Sequence, residues 1–167
     1  GTYTLSYVNS TAGPFTDGAD LEGGPIVSAD AKTGTMSGAA DMDAYTFSGT
    51  NGQHVLIDAV ETAGAGFNTV IYLYPPGGAS FTTWSGGGNR LDYQLTATGT
   101  WTILIEDIGN DTAGSYAMSF LNVQGGPLTN GSDLDGGAIV SNQIKTGQFH
   151  QGVDFDAYTF SGTLGQH

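Results

Sequence analysis

The chain has 167 residues, and its 16 acidic residues against three basic ones give a net charge of −13. A surface of this sign repels nucleic-acid phosphates and anionic lipids, so we predict no nucleic-acid partner. No apolar run approaches the ~20 residues that span a bilayer, so we also predict no membrane insertion. The 28 glycines and the absence of cysteine favour a domain with many tight turns and no disulfides.

Short segments with alternating apolar residues follow one another along the chain. Turn formers such as Asp17-Gly18, Asn51-Gly52 and Pro76-Gly77 separate them. No stretch of ten or more residues has a clean helical period. We therefore predict an all-β fold, an antiparallel, jelly-roll-like β-sandwich. The alternation predicts strands at 3–7, 45–47, 55–59, 70–74, 91–95, 101–105 and 116–120, with weaker strands at 26–28 and 33–36.

Residues 3–54 recur at 116–167 without a gap, with 29 identities in 52 aligned positions. The displacement of 113 residues matches the size of a self-sufficient domain and exceeds that of a solenoid repeat. Aligning the copies with the strand pattern predicts the last strand of a preceding repeat at 1–8, one complete repeat at 9–122, and the first part of the following repeat at 123–167. We therefore expect a stretch of a tandem array of β-sandwich domains with short junctions.

An ordered series of motifs within one repeat is similar to a known family. The series is Asp41-Met42-Asp43-Ala44-Tyr45-Thr46-Phe47, Val55–Val60, Leu73-Tyr74-Pro75-Pro76-Gly77, Thr98-Gly99-Thr100-Trp101-Thr102-Ile103 and Gly114-Ser115-Tyr116-Ala117-Met118. In this order the segments resemble the bacterial pre-peptidase C-terminal (PPC) domain. The resemblance implies a secreted β-domain of a kind that commonly follows a peptidase domain. Pro75 stands where the family usually has Asp, so any ligand role of that Asp is lost here.

Two acidic loops, present in both copies, are the strongest candidates for a binding site. Each exchange between the copies retains an oxygen donor, and Ca²⁺ binds six to eight oxygens. The resemblance points the same way, because some PPC-like domains bind calcium near their N-terminal segment. The alternative interpretation is that these residues form Asx turns and solvated strand starts. The candidate ligands are Asp17, Asp20, Glu22, Asp41 and Asp43 in the first copy and Asn130, Asp133, Asp135, Asp154 and Asp156 in the second.

The sequence contains no nucleophile elbow, no zinc-protease motif and no phosphate-binding loop, so we predict that the chain is not an enzyme. Trp101 alternates with threonines and is predicted to lie in the core. Trp84 lies in the Gly-rich segment FTTWSGGG and is predicted to be in a surface loop. There it could stack on a sugar ring or on a side chain of a partner, as could Tyr72 and Tyr74.

These observations predict a structural or adhesive extracellular module, a building block of a stalk, fibre or surface filament. Its partners would be neighbouring repeats or other subunits. In one variant, residues 3–8 complete the sandwich of a neighbouring subunit. The alternative function is that of an accessory module in a secreted hydrolase, binding a protein or polysaccharide substrate. Both functions place the protein outside the cell, secreted or on the surface of a prokaryote.

Overall fold

The computed structural model describes residues 1–78, 80–86, 90–131, 133–149 and 152–166, and all regular structure in these ranges is β-structure. None of the described residues belongs to a helix that could cross a membrane. The strands are β1 (Gly23–Pro25), β2 (Asp30–Met36), β3 (Asp43–Gly49), β4 (His54–Ala63), β5 (Thr69–Tyr74), β6 (Thr83–Gly86), β7 (Leu91–Gln94), β8 (Gly99–Asp107), β9 (Gly114–Asn122), β10 (Gly137–Ala138) and β11 (Tyr158–Thr159).

The first nine strands form two sheets that pack face to face. One sheet has the order β1-β3-β8-β5-β6 and the other the order β2-β9-β4-β7. Every pairing in the two sheets is antiparallel except that of β1 with β3. The predicted antiparallel β-sandwich is therefore confirmed, and the chain from β1 to β9 forms one such sandwich.

The core between the sheets is built from the alternating residues of the predicted strands. Trp101 is fully buried, as predicted, and the Phe47 and Phe120 rings lie 4.5 Å apart across the sandwich. Other core side chains are Val55, Ile57, Phe67, Ile71, Leu73, Leu95, Ile103, Ile105, Tyr116 and Met118. The opposite faces of the same strands carry mainly polar or partly exposed residues, which explains the period of two.

Two predicted elements differ in the structure. The weak strand expected at 26–28 lies earlier, at Gly23–Pro25, and only the Ile26 amide extends its pairing, by donating to the Thr46 carbonyl at 2.9 Å. Gly23 and Gly24 have φ of 132° and 86°, so this strand carries no alternating side chains to reveal it. Trp84, expected in a loop, lies in the edge strand β6. A short edge strand with polar residues and glycine shows no core periodicity.

Outside the sandwich, the repeated segments adopt little regular structure. Residues 3–7 form no strand, and Tyr3, Leu5 and Tyr7 are exposed. In the described part of 123–167, only β10 and β11 form, and they pair in parallel with Gly137 opposite Tyr158. That register reproduces Gly24 opposite Tyr45 at the repeat distance. Thus, the second copy already reproduces the local β1–β3 pairing.

The residues after β9 are tied to the sandwich by hydrogen bonds. The Ser28 hydroxyl donates to the Pro127 carbonyl at 2.7 Å, and the Asn122 side chain accepts from the Gly125 amide at 2.9 Å. Asn122 also donates to the Gln53 side chain at 3.0 Å. A Cβ at Gly126 would overlap Ser28, so the chain passes close to the sandwich there. The start of the second copy is therefore held against the first.

Candidate functional sites

A buried carboxyl group lies at the start of β3. Asp43, Tyr45 and Phe47 alternate toward the core, and Asp43 has no solvent-exposed surface. The Tyr116 hydroxyl donates to Asp43 Oδ2 at 2.6 Å and lies 2.8 Å from the Tyr45 hydroxyl. Because Tyr116 uses its only proton on Asp43, Tyr45 must donate to Tyr116. The result is a directed chain of hydrogen bonds that ends on the carboxyl group.

The electrostatic environment of Asp43 disfavours its negative charge. Burial raises the pKa of Asp43 to about 7, and the charges of Asp20 and Asp41 add to this effect, whereas the hydrogen bond from Tyr116 opposes it. Asp43 Oδ1 is buried and has no hydrogen-bond partner. A buried carboxylate oxygen without a partner destabilises the folded state unless it binds a proton or a cation.

Two other predicted ligands lie close to this buried carboxyl group, so three carboxyl groups form a cluster. Asp20 from the loop before β1, Asp41 from the loop before β3, and Asp43 each place one oxygen within 4.8 Å of the others. The Asp41 carboxylate also accepts from the Ser37 amide and hydroxyl at 2.6 and 2.7 Å, which fixes its orientation. Three carboxylates, one with a buried unpaired oxygen, fit the hard oxygen ligands that Ca²⁺ prefers.

The other two candidates in the first copy lie outside this three-carboxylate cluster. Asp17 Oδ1 accepts from the Ala19 and Asp20 amides at 2.6 and 2.9 Å, which is an Asx turn. These two bonds lower the pKa of Asp17. Glu22 accepts from the Leu21 amide at 3.2 Å. For Asp17, the structure matches the turn-forming interpretation, and its role is to shape the loop that presents Asp20.

The second copy assembles a similar cluster from different members. Asp133, Asp135 and Asp156 place oxygens within 4.8 Å of one another, at the positions of Asp20, Glu22 and Asp43. Burial raises the pKa of Asp133, the charge of Asp154 adds to this effect, and the hydrogen bond from the Asp135 amide opposes it. Asn130 lies outside this cluster: its Oδ1 accepts from the Asp133 amide at 3.0 Å, and its Nδ2 donates to the Ala29 carbonyl and to Asp30. Asp154 acts on Asp133 by charge and by a side-chain hydrogen bond.

A separate aromatic surface lies at the β6 edge of the five-stranded sheet. It comprises Tyr72, Tyr74, Phe81 and Trp84. The Tyr72 ring lies 4.9 Å from Phe81 and 6.4 Å from Trp84, and Tyr74 meets Phe81 edge-on at 6.2 Å. Trp84 and Phe81 are 54% and 43% exposed. The sequence analysis named Trp84, Tyr72 and Tyr74 as rings that could stack on a ligand, but it did not predict Phe81 or the surface that the four rings form.

The fold and these sites define a β-sandwich domain protein with an acidic cluster and an exposed aromatic surface. No family model and no curated protein matches the sequence. Solved structures similar to the chain include the pre-peptidase C-terminal domain of a collagenase from Bacillus anthracis, at 16% identity and a TM-score of 0.49, covering 59% of this chain and 94% of that one. This is the domain type that the sequence motifs resemble.

Two further similar structures are β-domains with other roles. One is PliG, a periplasmic lysozyme inhibitor of g-type lysozyme from Aeromonas hydrophila, at 18% identity, with a TM-score of 0.46 over 59% of this chain and 96% of that one. The other is the Yersinia pseudotuberculosis-derived mitogen, at 16% identity, with a TM-score of 0.42 over 61% of this chain and 92% of that one.

Proposed function

We propose that the chain is a non-catalytic, extracellular repeat module that self-associates, as a building block of a stalk, fibre or surface filament. The observation that carries this proposal is the exposure of repeated core residues. Tyr3, Leu5 and Tyr7 are 90%, 83% and 83% exposed. Their equivalents in the complete sandwich, Tyr116, Met118 and Phe120, are buried. Side chains whose equivalents build a core are therefore available here to pack against a neighbouring repeat or subunit.

The second copy supports the same proposal. Ile144, Phe149, Phe160 and Leu164 are all exposed, with Ile144 at 90% and Phe149 at 79%. Burying apolar surface contributes about 25 cal/mol per Å², so such segments favour association. The junction that follows β9 is tied to Ser28 and Asn122. A junction that is held by hydrogen bonds favours a semi-rigid row of domains over domains joined by flexible linkers.

Sedimentation velocity across a range of concentrations, with electron microscopy of the same samples, tests the self-association. We expect the 167-residue chain to form species larger than a monomer. Leu5→Asp should shift the distribution toward monomer, because it places a charge in the apolar segment. Ile108→Asp is the matched control, since Ile108 is an exposed apolar residue of the complete sandwich. A chain that stays monomeric at every concentration would show that the proposal is wrong.

We also propose that Asp20, Asp41 and Asp43 hold a calcium ion. The buried Oδ1 of Asp43 supports this assignment, because Asp43 belongs to the cluster and this oxygen has no hydrogen-bond partner. When bound, the ion would supply positive charge that links the loop before β1 to the start of β3. The catalytic motifs that such an ion could serve are absent from the sequence, so its role is structural.

Thermal melting with calcium and with a chelator tests this proposal. Binding to the native state alone stabilises it by about 2.7 kcal/mol at a calcium concentration of 100 times Kd. Asp43→Asn should abolish the calcium-dependent rise in Tm. Asp17→Asn is the control and should retain it, because Asn also forms the Asx turn. Equal melting of the wild-type chain in calcium and in chelator would contradict the assignment.

The aromatic surface supports a second candidate function, that of an accessory module binding a polysaccharide or protein. The partly exposed Tyr72 ring and the exposed Trp84 ring are stacked and offer an apolar platform. The net charge of −13 favours a neutral polysaccharide over an anionic one. Co-sedimentation with cellulose and chitin tests this function. Trp84→Ala should weaken retention, and Leu21→Ala should not; no retention of the wild-type chain would count against it.

A further inference from the structure

We infer that consecutive repeats dock on one another in one fixed orientation, with the loops at the start of a repeat seated on the outward face of the last strand of the repeat before it. This inference rests on the repeat organisation of the proposed function, and it names the surface and the partner that set the geometry of the array. Two junctions within the described residues carry it, and they agree.

The first junction lies between residues 5–8 and the sandwich. Residues 5–8 line a cavity of about 380 Å³ together with the loop before β1, which includes Asp17, and the connection between β2 and β3, which includes Asp41. Ser6 and Val8 are half-buried, whereas the two residues that alternate with them are exposed. The face of this segment that carries Ser6 and Val8 is therefore the one turned toward the two loops.

The second junction, between the sandwich and the second copy, has the same arrangement. Asn130 is the equivalent of Asp17, and its Nδ2 donates to the Ala29 carbonyl. The Ala29 amide in turn donates to the Phe120 carbonyl at 2.8 Å, so Asn130 lies beside the end of β9. At the first junction, Tyr7 is the equivalent of Phe120, and it lines the cavity together with Asp17. Both junctions thus place the same loop position beside the same strand position.

The outward face of β9 is covered at this second junction. Ser119 and Leu121 alternate with the core residues Met118 and Phe120 and so point away from the core, yet both are only 2% exposed. They are the equivalents of the two half-buried residues of the first junction. In the second copy, Val153 is also 2% exposed and lies outside the sandwich core. Since Val153 belongs to the repeated β2–β3 connection, we expect it to pack on Leu121.

The side chain at position 130 determines how firmly the loop is held. Asn130 Oδ1 accepts from the Asp133 amide at 3.0 Å, which forms the turn, while its Nδ2 donates across the junction to the Ala29 carbonyl and to Asp30. An aspartate can form the same turn, as Asp17 does, but it has no donor. It would also place a second carboxylate beside Asp30. At this junction an amide therefore favours docking, and a carboxylate opposes it.

Nuclear magnetic resonance of the 167-residue chain tests the docking. We expect a nuclear Overhauser effect (NOE) between the methyl groups of Leu121 and Val153. We also expect the amides of 128–131 to show the same rotational correlation time as those of the sandwich. Low salt keeps copies of this acidic chain apart during the measurement. Mixing isotope-labelled with unlabelled chains, and filtering the NOEs by label, shows whether the contact is made within one chain.

Asn130→Asp is the deciding variant, because it keeps the turn, loses the donated hydrogen bonds and adds a charge beside Asp30. We expect the ratio of docked to undocked chains to fall about tenfold, with a weaker NOE and a shorter correlation time for 128–131. The matched control is Asn142→Asp, which adds the same charge at an exposed turn of the second copy and should retain the NOE. Both substitutions lie outside the complete sandwich, whose unfolding transition should be unchanged.

The outcomes separate this inference from the proposed function. If the wild-type chain shows no NOE between Leu121 and Val153, or if Asn130→Asp leaves that NOE unchanged, the docking is wrong. Self-association still stands in that case if sedimentation detects it, and the repeats are then joined flexibly. If sedimentation shows only monomers while the NOE is present and is lost in Asn130→Asp, the docking stands and the proposed self-association is overturned.

Discussion

At the scale of single residues, the chain of hydrogen bonds from Tyr45 through Tyr116 to Asp43 is the least ordinary feature of the core. A buried carboxyl group is tolerated only when other groups satisfy it. Here one oxygen has the Tyr116 hydroxyl and the other has no partner. The arrangement therefore joins the two sheets through a polar contact in which only one of the two carboxyl oxygens is hydrogen-bonded.

Tyr116→Phe should destabilise the sandwich more than Tyr45→Phe. The first variant leaves Asp43 without its hydroxyl donor and Tyr45 without its acceptor, whereas the second removes only the outer hydroxyl. We expect a loss of about 1–3 kcal/mol for Tyr116→Phe and about 1 kcal/mol for Tyr45→Phe. Urea unfolding at neutral pH measures both. Equal losses would contradict the directed chain.

Asp43 also predicts a pH dependence of stability. Its pKa rises from 3.8 to about 7 on folding, chiefly through burial. Between these values the folded state retains a proton that the unfolded state has lost, so stability falls as the pH rises, by at most about 1.4 kcal/mol per pH unit from this group. In chelator, the wild-type chain should be more stable at pH 5 than at pH 8.

The control for this dependence is Asp43→Asn, which has the same shape and no titrating proton. Burial also raises the pKa values of Asp20, Asp58 and Glu106, so these groups contribute a background slope of the same sign. That background persists in the variant. The difference between the two unfolding curves isolates Asp43, and parallel curves would show that it does not titrate in this window.

At the scale of elements, β2 and β9 depend on a close approach that only glycine permits. A Cβ on Gly34 would overlap the Tyr116 ring, which is fully buried and cannot retreat into solvent. Such overlap forces an off-rotamer side chain or a backbone shift, and typically costs about 1–3 kcal/mol. The same glycine is Gly147 in the second copy.

Gly34→Ala should therefore lower the stability of the sandwich by about 1–3 kcal/mol. Thr33→Ala, one residue away on the exposed face of the same strand, should change it by about 0.5 kcal/mol or less. Chemical denaturation of the two variants gives the comparison. A loss for Gly34→Ala no larger than that for Thr33→Ala would mean that the contact with Tyr116 is not tight.

At the scale of the whole molecule, the exposed apolar segments lie on a strongly acidic protein. A net charge of −13 makes copies of the chain repel one another, while Leu5, Tyr7 and Phe149 favour contact. Acidic repulsion keeps such a chain dispersed when the salt concentration is low. In the proposed self-association, the balance between these two effects would set the salt concentration at which copies of the chain associate.

Added salt should strengthen self-association. The Debye length falls from about 30 Å at 0.01 M to about 10 Å at 0.1 M, so repulsion between copies is screened while apolar burial is retained. Sedimentation velocity in 0.01 M and 0.3 M NaCl measures the effect. Association that weakens with salt would indicate contacts made by ion pairs in place of apolar side chains.

The sequence alone was sufficient to predict the sandwich and most of its strands. Core strands alternate buried and exposed residues, and this alternation can be seen in a few neighbouring residues. The same pattern placed Trp101 in the core. It also showed the 113-residue repeat and the paired acidic loops, since both are properties of residue order. Strands without alternation, such as β1 with its two glycines and the polar edge strand β6, could not be read in this way.

Only the tertiary structure decided which acidic residues meet. Asp20 and Asp43 are far apart in the sequence, and their distance depends on how the loop before β1 folds against β3. The Asx turn of Asp17, the missing partner of Asp43 Oδ1, and the aromatic surface around Trp84 depend likewise on contacts between distant segments. Periodicity determines which face of a strand a residue occupies; long-range packing determines what that residue touches.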